Sequence, residues 1–163
     1  MSPTTRGAAA RAVGVGGFLA GLLDITFAIL FYGVARPGGS AAGVLQSVAS
    51  GWLGRSALTG GAPAASLGLM THFLIALGAA ATFYVLSGWF PSLRARPIPA
   101  GIVFGIGLYV FMNYVVLPLS AAPFRAAENF SAIWPNLASH MFLVGVPIAL
   151  CARHYGGRLE EAS

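Results

Sequence analysis

Four apolar stretches of about 20 residues or more divide this chain: Val13 to Ala35, Ala64 to Phe90, Pro99 to Leu117 and Pro135 to His154. Each is long enough to cross a hydrocarbon core about 30 Å thick. Inside lipid every backbone N–H and C=O must find a partner within the protein, so only helices and closed barrels can span. A barrel would show short segments of alternating polarity. These runs are continuous, so they predict helices. Charged residues make up 8% of the chain, against about a quarter in soluble domains, too few to cover a water-facing surface. The expected fold is therefore an all-α membrane protein, a four-transmembrane-helix bundle over 13–154, with tails at 1–12 and 155–163.

The ends of the runs carry the usual punctuation. Arg36-Pro37-Gly38-Gly39 closes the first. Gly60-Gly61 opens the second, with Pro63 at a favoured helix-start position. The third is expected to stop before Pro118, and the fourth holds Pro147, which frees the Leu143 carbonyl and predicts a kink. Arg6, Arg11, Arg94, Arg96, Arg153 and Arg158 fall on one side; Arg36, Arg55 and Arg125 fall on the other. That bias predicts both termini in the cytoplasm, tempered by Glu160 and Glu161. Arg6 and Arg11 before a long apolar run suit a retained anchor better than a cleaved signal.

The net charge of +5 does not point to nucleic acid, because the arginines are scattered over loops and ends instead of forming a stripe. The bilayer is the expected partner. Cys151 stands alone, so no intrachain disulfide or CxxC pair exists, and it reads as a packing residue. Trp52, Trp89 and Trp134 suit membrane-interface anchors.

The loop after the first run, Arg36 to Pro63, contains an amphipathic stretch. Val44, Leu45, Val48 and Trp52 share one helical side, and Gln46, Ser47 and Ser50 the other. An interfacial helix and a re-entrant element covering the bundle are the two readings. Further on, Gly17-Phe-Leu-Ala-Gly21 is echoed by Gly101-Ile-Val-Phe-Gly105, and His72-Phe-Leu-Ile by His140-Met-Phe-Leu. Either the chain is two tandem helical hairpins, or a common small-xxx-small motif recurs by chance.

Asp24 lies at the middle of the first run, which has no other charge. A carboxylate there costs about 2.5–3.5 kcal/mol on insertion scales, so it is expected to face protein or water. Gly17, Ala20, Gly21 and Ala28 share its face, where a second helix can approach closely. His72 lies with Gly68, Ala76 and Ala79; His140 with Asn136, Val144, Pro147 and Cys151; Asn113 with Tyr109 and Leu117. At about 1.5 Å per residue, His72, Asn113 and His140 fall within about 6 to 9 Å of the outer boundary and Asp24 at about 16 Å. Converging faces would form an outward-facing polar pocket with the aspartate at its base.

Four readings of that set compete. It is a proton or ion pathway, since imidazoles as a class titrate near neutrality. It is a haem or metal site on His72 and His140, a reading weakened by the depth of Asp24 and the lack of a closely spaced ligand pair. It is an enzyme, for which no GxSxG, HExxH or paired acidic motif is present and no catalytic residue can be named. Or Asp24 hydrogen-bonds a neighbouring helix and fixes packing, with the protein serving as an accessory subunit of a larger complex. No cofactor is expected outside the haem or metal reading. A small bundle leaves little room for a path, and with its GxxxG-type faces this suggests a homo-oligomer or a larger membrane complex.

Leu45-Gln-Ser-Val-Ala-Ser-Gly-Trp-Leu-Gly-Arg55, Met112-Asn-Tyr-Val-Val-Leu-Pro-Leu-Ser120 and His140-Met-Phe-Leu-Val-Gly-Val-Pro-Ile-Ala149 resemble a group of small four-span bacterial inner-membrane proteins of uncharacterised function. The resemblance covers Gly17 to His154. It implies the four-helix topology and a bacterial inner membrane, and no activity. It also directs attention to Gln46, Ser47 and Arg55 as outer-loop contributors to the same site as Asn113.

Overall fold

Four helices are long and apolar enough to cross a membrane, at Arg6–Val34, Gly61–Trp89, Pro97–Leu119 and Phe130–Gly156. The chain is thus an all-α, multi-pass membrane protein. The computed structural model describes residues 3–156; Arg158, Glu160, Glu161 and most of the expected C-terminal tail lie outside the described residues. Helix α1 is Pro3–Ala28, prolonged by a π-helical turn, Ile29–Val34. Helix α2, Ala41–Leu53, leads into a 3₁₀ segment, Gly54–Thr59. Helix α3 is Gly61–Trp89. Helix α4 is Pro97–Phe111, continued by π-helical Met112–Val116 and a last turn, Leu117–Leu119. Helix α5 comprises Phe130–Ser139, π-helical His140–Gly145 and Val146–Gly156.

In the bundle α1 packs against α3 and α5, and α5 packs against α1 and α4. The core lies toward the chain termini, where Ala20, Ala79, Ala80, Ala149 and Ala152 let the helices close around Phe83, Val144 and Ile148. Here α3 meets α4 through Phe83 and Phe104, edge to face at 5.1 Å. Arg94, in the short turn Ser92–Ala95 between them, donates to Ser87 Oγ at 2.9 Å and to the Gly156 carbonyl at 3.3 Å, with its guanidinium over the Tyr84 ring. It ties the C-terminal end of α5 to α3.

The echoed motifs do the same work in both hairpins. A Cβ on Gly17 would come within 2.8 Å of the Leu77 backbone, and one on Gly21 within 2.8 Å of Phe73. A Cβ on Gly101 would come within 2.6 Å of the Gly145 carbonyl, and one on Gly105 would overlap the His140 carbonyl and crowd Met141. Each Gly-xxx-Gly face therefore meets its hairpin partner beside that partner's histidine. These faces are filled inside the chain and so give no argument for self-association.

Three helix ends differ most from expectation: α1 already starts at Pro3, inside the stretch expected as a tail. Helix α4 passes through Pro118 to Leu119, and α5 starts at Phe130, five positions before Pro135. The π turns account for the passage through Pro118. The Leu117 N–H reaches back to the Met112 carbonyl, five residues away, immediately before Pro118; the Val146 N–H does the same to Met141 immediately before Pro147. One added residue per turn moves the backbone carbonyls off the proline ring, so the helix continues where a regular α-helix would break. Pro135, the sixth residue of α5, removes one intrahelical bond, and the helix continues through it.

Candidate functional site

The four polar residues singled out from sequence, each on a different spanning helix, line one cavity of about 390 Å³. Asp24 comes from α1, His72 from α3, Asn113 from α4 and His140 from α5, and Ser47 of α2, Ser120 after α4 and Asn136 of α5 complete the polar lining. All four are half-buried. Asp24 faces inward because its neighbours on that side, Ala20 and Gly21, are buried, while Leu22 and Leu23 turn outward at 44% and 42% exposure. Ala20, Ala76, Ala79, Leu108 and Val144 continue the cavity wall toward the termini.

Asp24 accepts a hydrogen bond from the hydroxyl of Ser139 on α5. Ser139 is 3% exposed. Among the described residues no arginine pairs with Asp24. His72 Nε2 donates to the Gly21 carbonyl at 2.9 Å, one turn from Asp24. His140 Nδ1 donates to the Asn136 carbonyl at 2.9 Å. Asn113 Nδ2 donates to the Tyr109 carbonyl at 2.9 Å. The edge of Tyr109 meets His140 at 5.7 Å between centroids, and the buried Tyr109 hydroxyl has no partner among the described residues.

This geometry overturns the expected depths. Counted from Val34, Gly61 and Phe130, residues 24, 72 and 140 are each about ten residues in, or about 15 Å along the helix. His72 bonds a carbonyl on the terminus side of Asp24, and Ser139 adjoins His140. The aspartate is level with the histidines, not beneath them; Asn113, about six residues from Leu119, is the shallow member. Placing the start of the fourth helix at Pro135 made His140 seem shallower than it is. Even so, among the described residues no three His, Cys, Asp or Glu groups cluster closely enough to hold a metal.

The covering element also departs from its pattern. Ser40 caps α2 by accepting from the Gly43 N–H at 3.0 Å. The helix then lies so close to α3 that a Cβ on Gly68 would overlap the Leu45 carbonyl. Gly68 is about seven residues, roughly 10 Å, inside the end of α3, so α2 packs along the flank of the bundle. Its buried residues are Ala49 and Ser50, while Trp52 and Leu53 are 70% and 48% exposed. Polar Ser50 is thus buried while apolar Trp52 is exposed, and the Trp52 indole N–H donates to Thr71 Oγ1 at 3.1 Å. Ser47 and Val48 reach the cavity. Gln46 instead donates to the Gly61 carbonyl at 3.2 Å, and Arg55 is exposed; neither lines the cavity. At its far end α2 meets the loop after α4, the Ala121 N–H donating to the Gly51 carbonyl at 3.0 Å.

That loop frames a second hollow, of about 670 Å³, lined by Arg125 and Glu128 and sharing Asn113, Leu117, Ser120, Ala122 and Phe124 with the first. Asn113 stands at their common wall. Ser139 and Tyr109 were not singled out from sequence as site residues. A serine and a tyrosine in apolar runs carry no distinguishing signal until a partner is known, though Ser139 adjoins a histidine that was selected.

Comparison of the chain with protein-family models, with curated proteins and with solved structures gives no match.

Proposed function

We propose that this protein is a small membrane transporter or channel-type protein that takes an ion or small polar solute into the intramembrane cavity around Asp24. The observation that carries this reading is the convergence of one polar side chain from each spanning helix on a single cavity. A cavity of 300–1,000 Å³ with a few converging polar groups is the usual form of a small-molecule site. An intramembrane carboxylate is itself a marker of ion and substrate pathways. The hollow at Arg125 and Glu128 serves as a vestibule, with Asn113 between the two. The arginine bias favours cytoplasmic termini and hence an outward-facing vestibule, and the resemblance noted above supports a bacterial inner membrane. A homo-oligomer remains part of the proposal, since one small bundle offers little room for two gates.

The test is flux in proteoliposomes. Purified wild-type protein should support pH-dependent uptake or proton flux above empty vesicles, and Asp24→Asn should abolish it. Flux equal in the two proteins would remove Asp24 from the path. An inert protein that co-purifies in stoichiometric amount with a larger membrane partner would favour the accessory-subunit reading. The metal reading has no three-ligand cluster behind it among the described residues; the bis-histidine haem reading is tested by colour, and a colourless preparation after haem supplementation counts against it.

A further inference from the structure

The donors and acceptors of the cavity define the chemistry of its ligand. A backbone carbonyl only accepts, so each polar group that faces one must present a hydrogen to it. His72 gives its Nε2–H to Gly21, and His140 gives its Nδ1–H to Asn136. Asn113 gives an amide hydrogen to Tyr109, and Ser47 gives its hydroxyl hydrogen to the Val44 carbonyl at 2.7 Å. Ser139 gives its own to Asp24. Ser120 gives its hydroxyl hydrogen to the Leu117 carbonyl at 2.8 Å, so the hydroxyl and ring donors of the polar wall are engaged, and the donors left over are the Asn136 amide hydrogens and the second one of Asn113. Its larger unused capacity is on the accepting side: the Asp24 carboxylate, Asn113 Oδ1, Asn136 Oδ1, Ser47 Oγ, and the ring nitrogens His72 Nδ1 and His140 Nε2, each of which accepts when its other nitrogen alone carries the hydrogen.

We propose, resting on the transport reading above, that the cavity binds a small protonated amine. Its ammonium sits against Asp24 and hands its N–H donors to these acceptors, and its carbon skeleton lies on Ile75, Leu108, Met112 and Val116. The carboxylate is the one formal charge in the lining and has no cation paired with it among the described residues. An ammonium supplies both the charge and the donors. A carboxylate-bearing or otherwise anionic ligand would meet a like charge and a wall of acceptors. A neutral alcohol offers one donor and no charge. A bare metal ion prefers a close oxygen cage, whereas this cavity is about 390 Å³, mixes nitrogen with oxygen acceptors and has an apolar wall.

The test is thermal unfolding of the purified full chain in detergent, titrated with ethylammonium chloride beside sodium chloride, ethanol and sodium acetate at matched ionic strength. A ligand that binds only the folded state raises the midpoint in a saturable way. Ethylammonium should raise it by several degrees with saturation, and the other three should not. Asp24→Asn should weaken the apparent affinity at least tenfold, and Asp24→Glu should restore part of it. A flat response to ethylammonium in wild-type protein, or an equal one to sodium or ethanol, overturns the proposal without recourse to any variant. An unchanged affinity in folded Asp24→Asn protein overturns it as well. Proton flux with no amine binding sinks the ligand class and leaves the transport reading; amine binding with no flux supports the ligand class and sinks transport.

Discussion

Replacing Asp24 and replacing Ser139 should change stability in opposite directions. A carboxylate at the centre of a spanning helix costs about 2.5–3.5 kcal/mol on insertion scales. The described residues return one hydrogen bond to it, from Ser139. A bond to a charged group is worth about 1.5–3 kcal/mol, so Asp24 is close to neutral or a net cost of about 1–2 kcal/mol. Asp24→Asn sheds the charge and keeps an oxygen that accepts from Ser139, so it should leave stability unchanged or raise it by about 1 kcal/mol. Ser139→Ala strips the carboxylate of its donor and should lower stability by about 1.5–3 kcal/mol. Interhelical polar pairs in membrane proteins average about 0.6 kcal/mol in double-mutant cycles, so a larger coupling would reflect the charge. The assay is unfolding of both single variants and an Asp24→Ala, Ser139→Ala cycle in mixed micelles, read by circular dichroism. If Asp24→Asn lowers stability by more than about 1 kcal/mol, Asp24 serves as a packing residue, and the case for a site held at the expense of stability fails.

Other substitutions test the packing that positions the site. Gly105→Ala should cost about 1–3 kcal/mol, since its Cβ would overlap the His140 carbonyl, whereas Gly107→Ala, where a Cβ meets nothing, should be neutral or gain up to about 1 kcal/mol from helix propensity; unfolding midpoints of the two decide it. Arg94→Ala should lose about 1–2 kcal/mol with its bonds to Ser87 and Gly156, and Arg94→Lys should not restore it, because lysine cannot reach both with one fork; melting temperature and limited proteolysis near residue 156 report this. Tyr109→Phe removes a buried hydroxyl without a described partner and should raise stability by about 1 kcal/mol; a lower melting temperature would mean that the hydroxyl holds something in the native protein.

What the sequence made legible was periodic. Long apolar runs gave four helices, and small residues three or four positions from Asp24 and His72 marked the faces that turn inward. Both signals are local to one helix. What stayed hidden depends on two helices at once. No local pattern pairs Asp24 with Ser139, because the serine's value comes from a neighbour 115 positions away. The orientation of α2 was not legible for the same reason. Reading the apolar side of a helix as its protein-facing side assumes water on the other. Trp52 and Leu53 instead face outward from a bundle whose surroundings are apolar, while Ser50 is buried and satisfies its hydroxyl on the Ser47 carbonyl at 2.6 Å.

Prolines explain how one boundary error spread. Treated as helix ends, Pro118 and Pro135 shorten α4 and α5, and every depth measured from them shifts. That shift set Asp24 beneath His140, as starting the second span at Ala64 instead of Gly61 did for His72, and argued against a shared metal site. In the structure Pro118 and Pro147 each follow a π turn that contains a site residue, Asn113 in one and His140 in the other. The coupling has a physical cause. A proline leaves a carbonyl unmatched and crowds the preceding turn, and in lipid the backbone must be re-satisfied within the helix. A wider turn does this, and it also rotates the side chains that precede the proline relative to a regular α-helix. A polar residue four to seven positions before a proline in a spanning helix is therefore a marker for a re-aimed side chain. Applied to this chain, it selects Asn113 and His140, together with Tyr114 before Pro118 and Ser131 before Pro135.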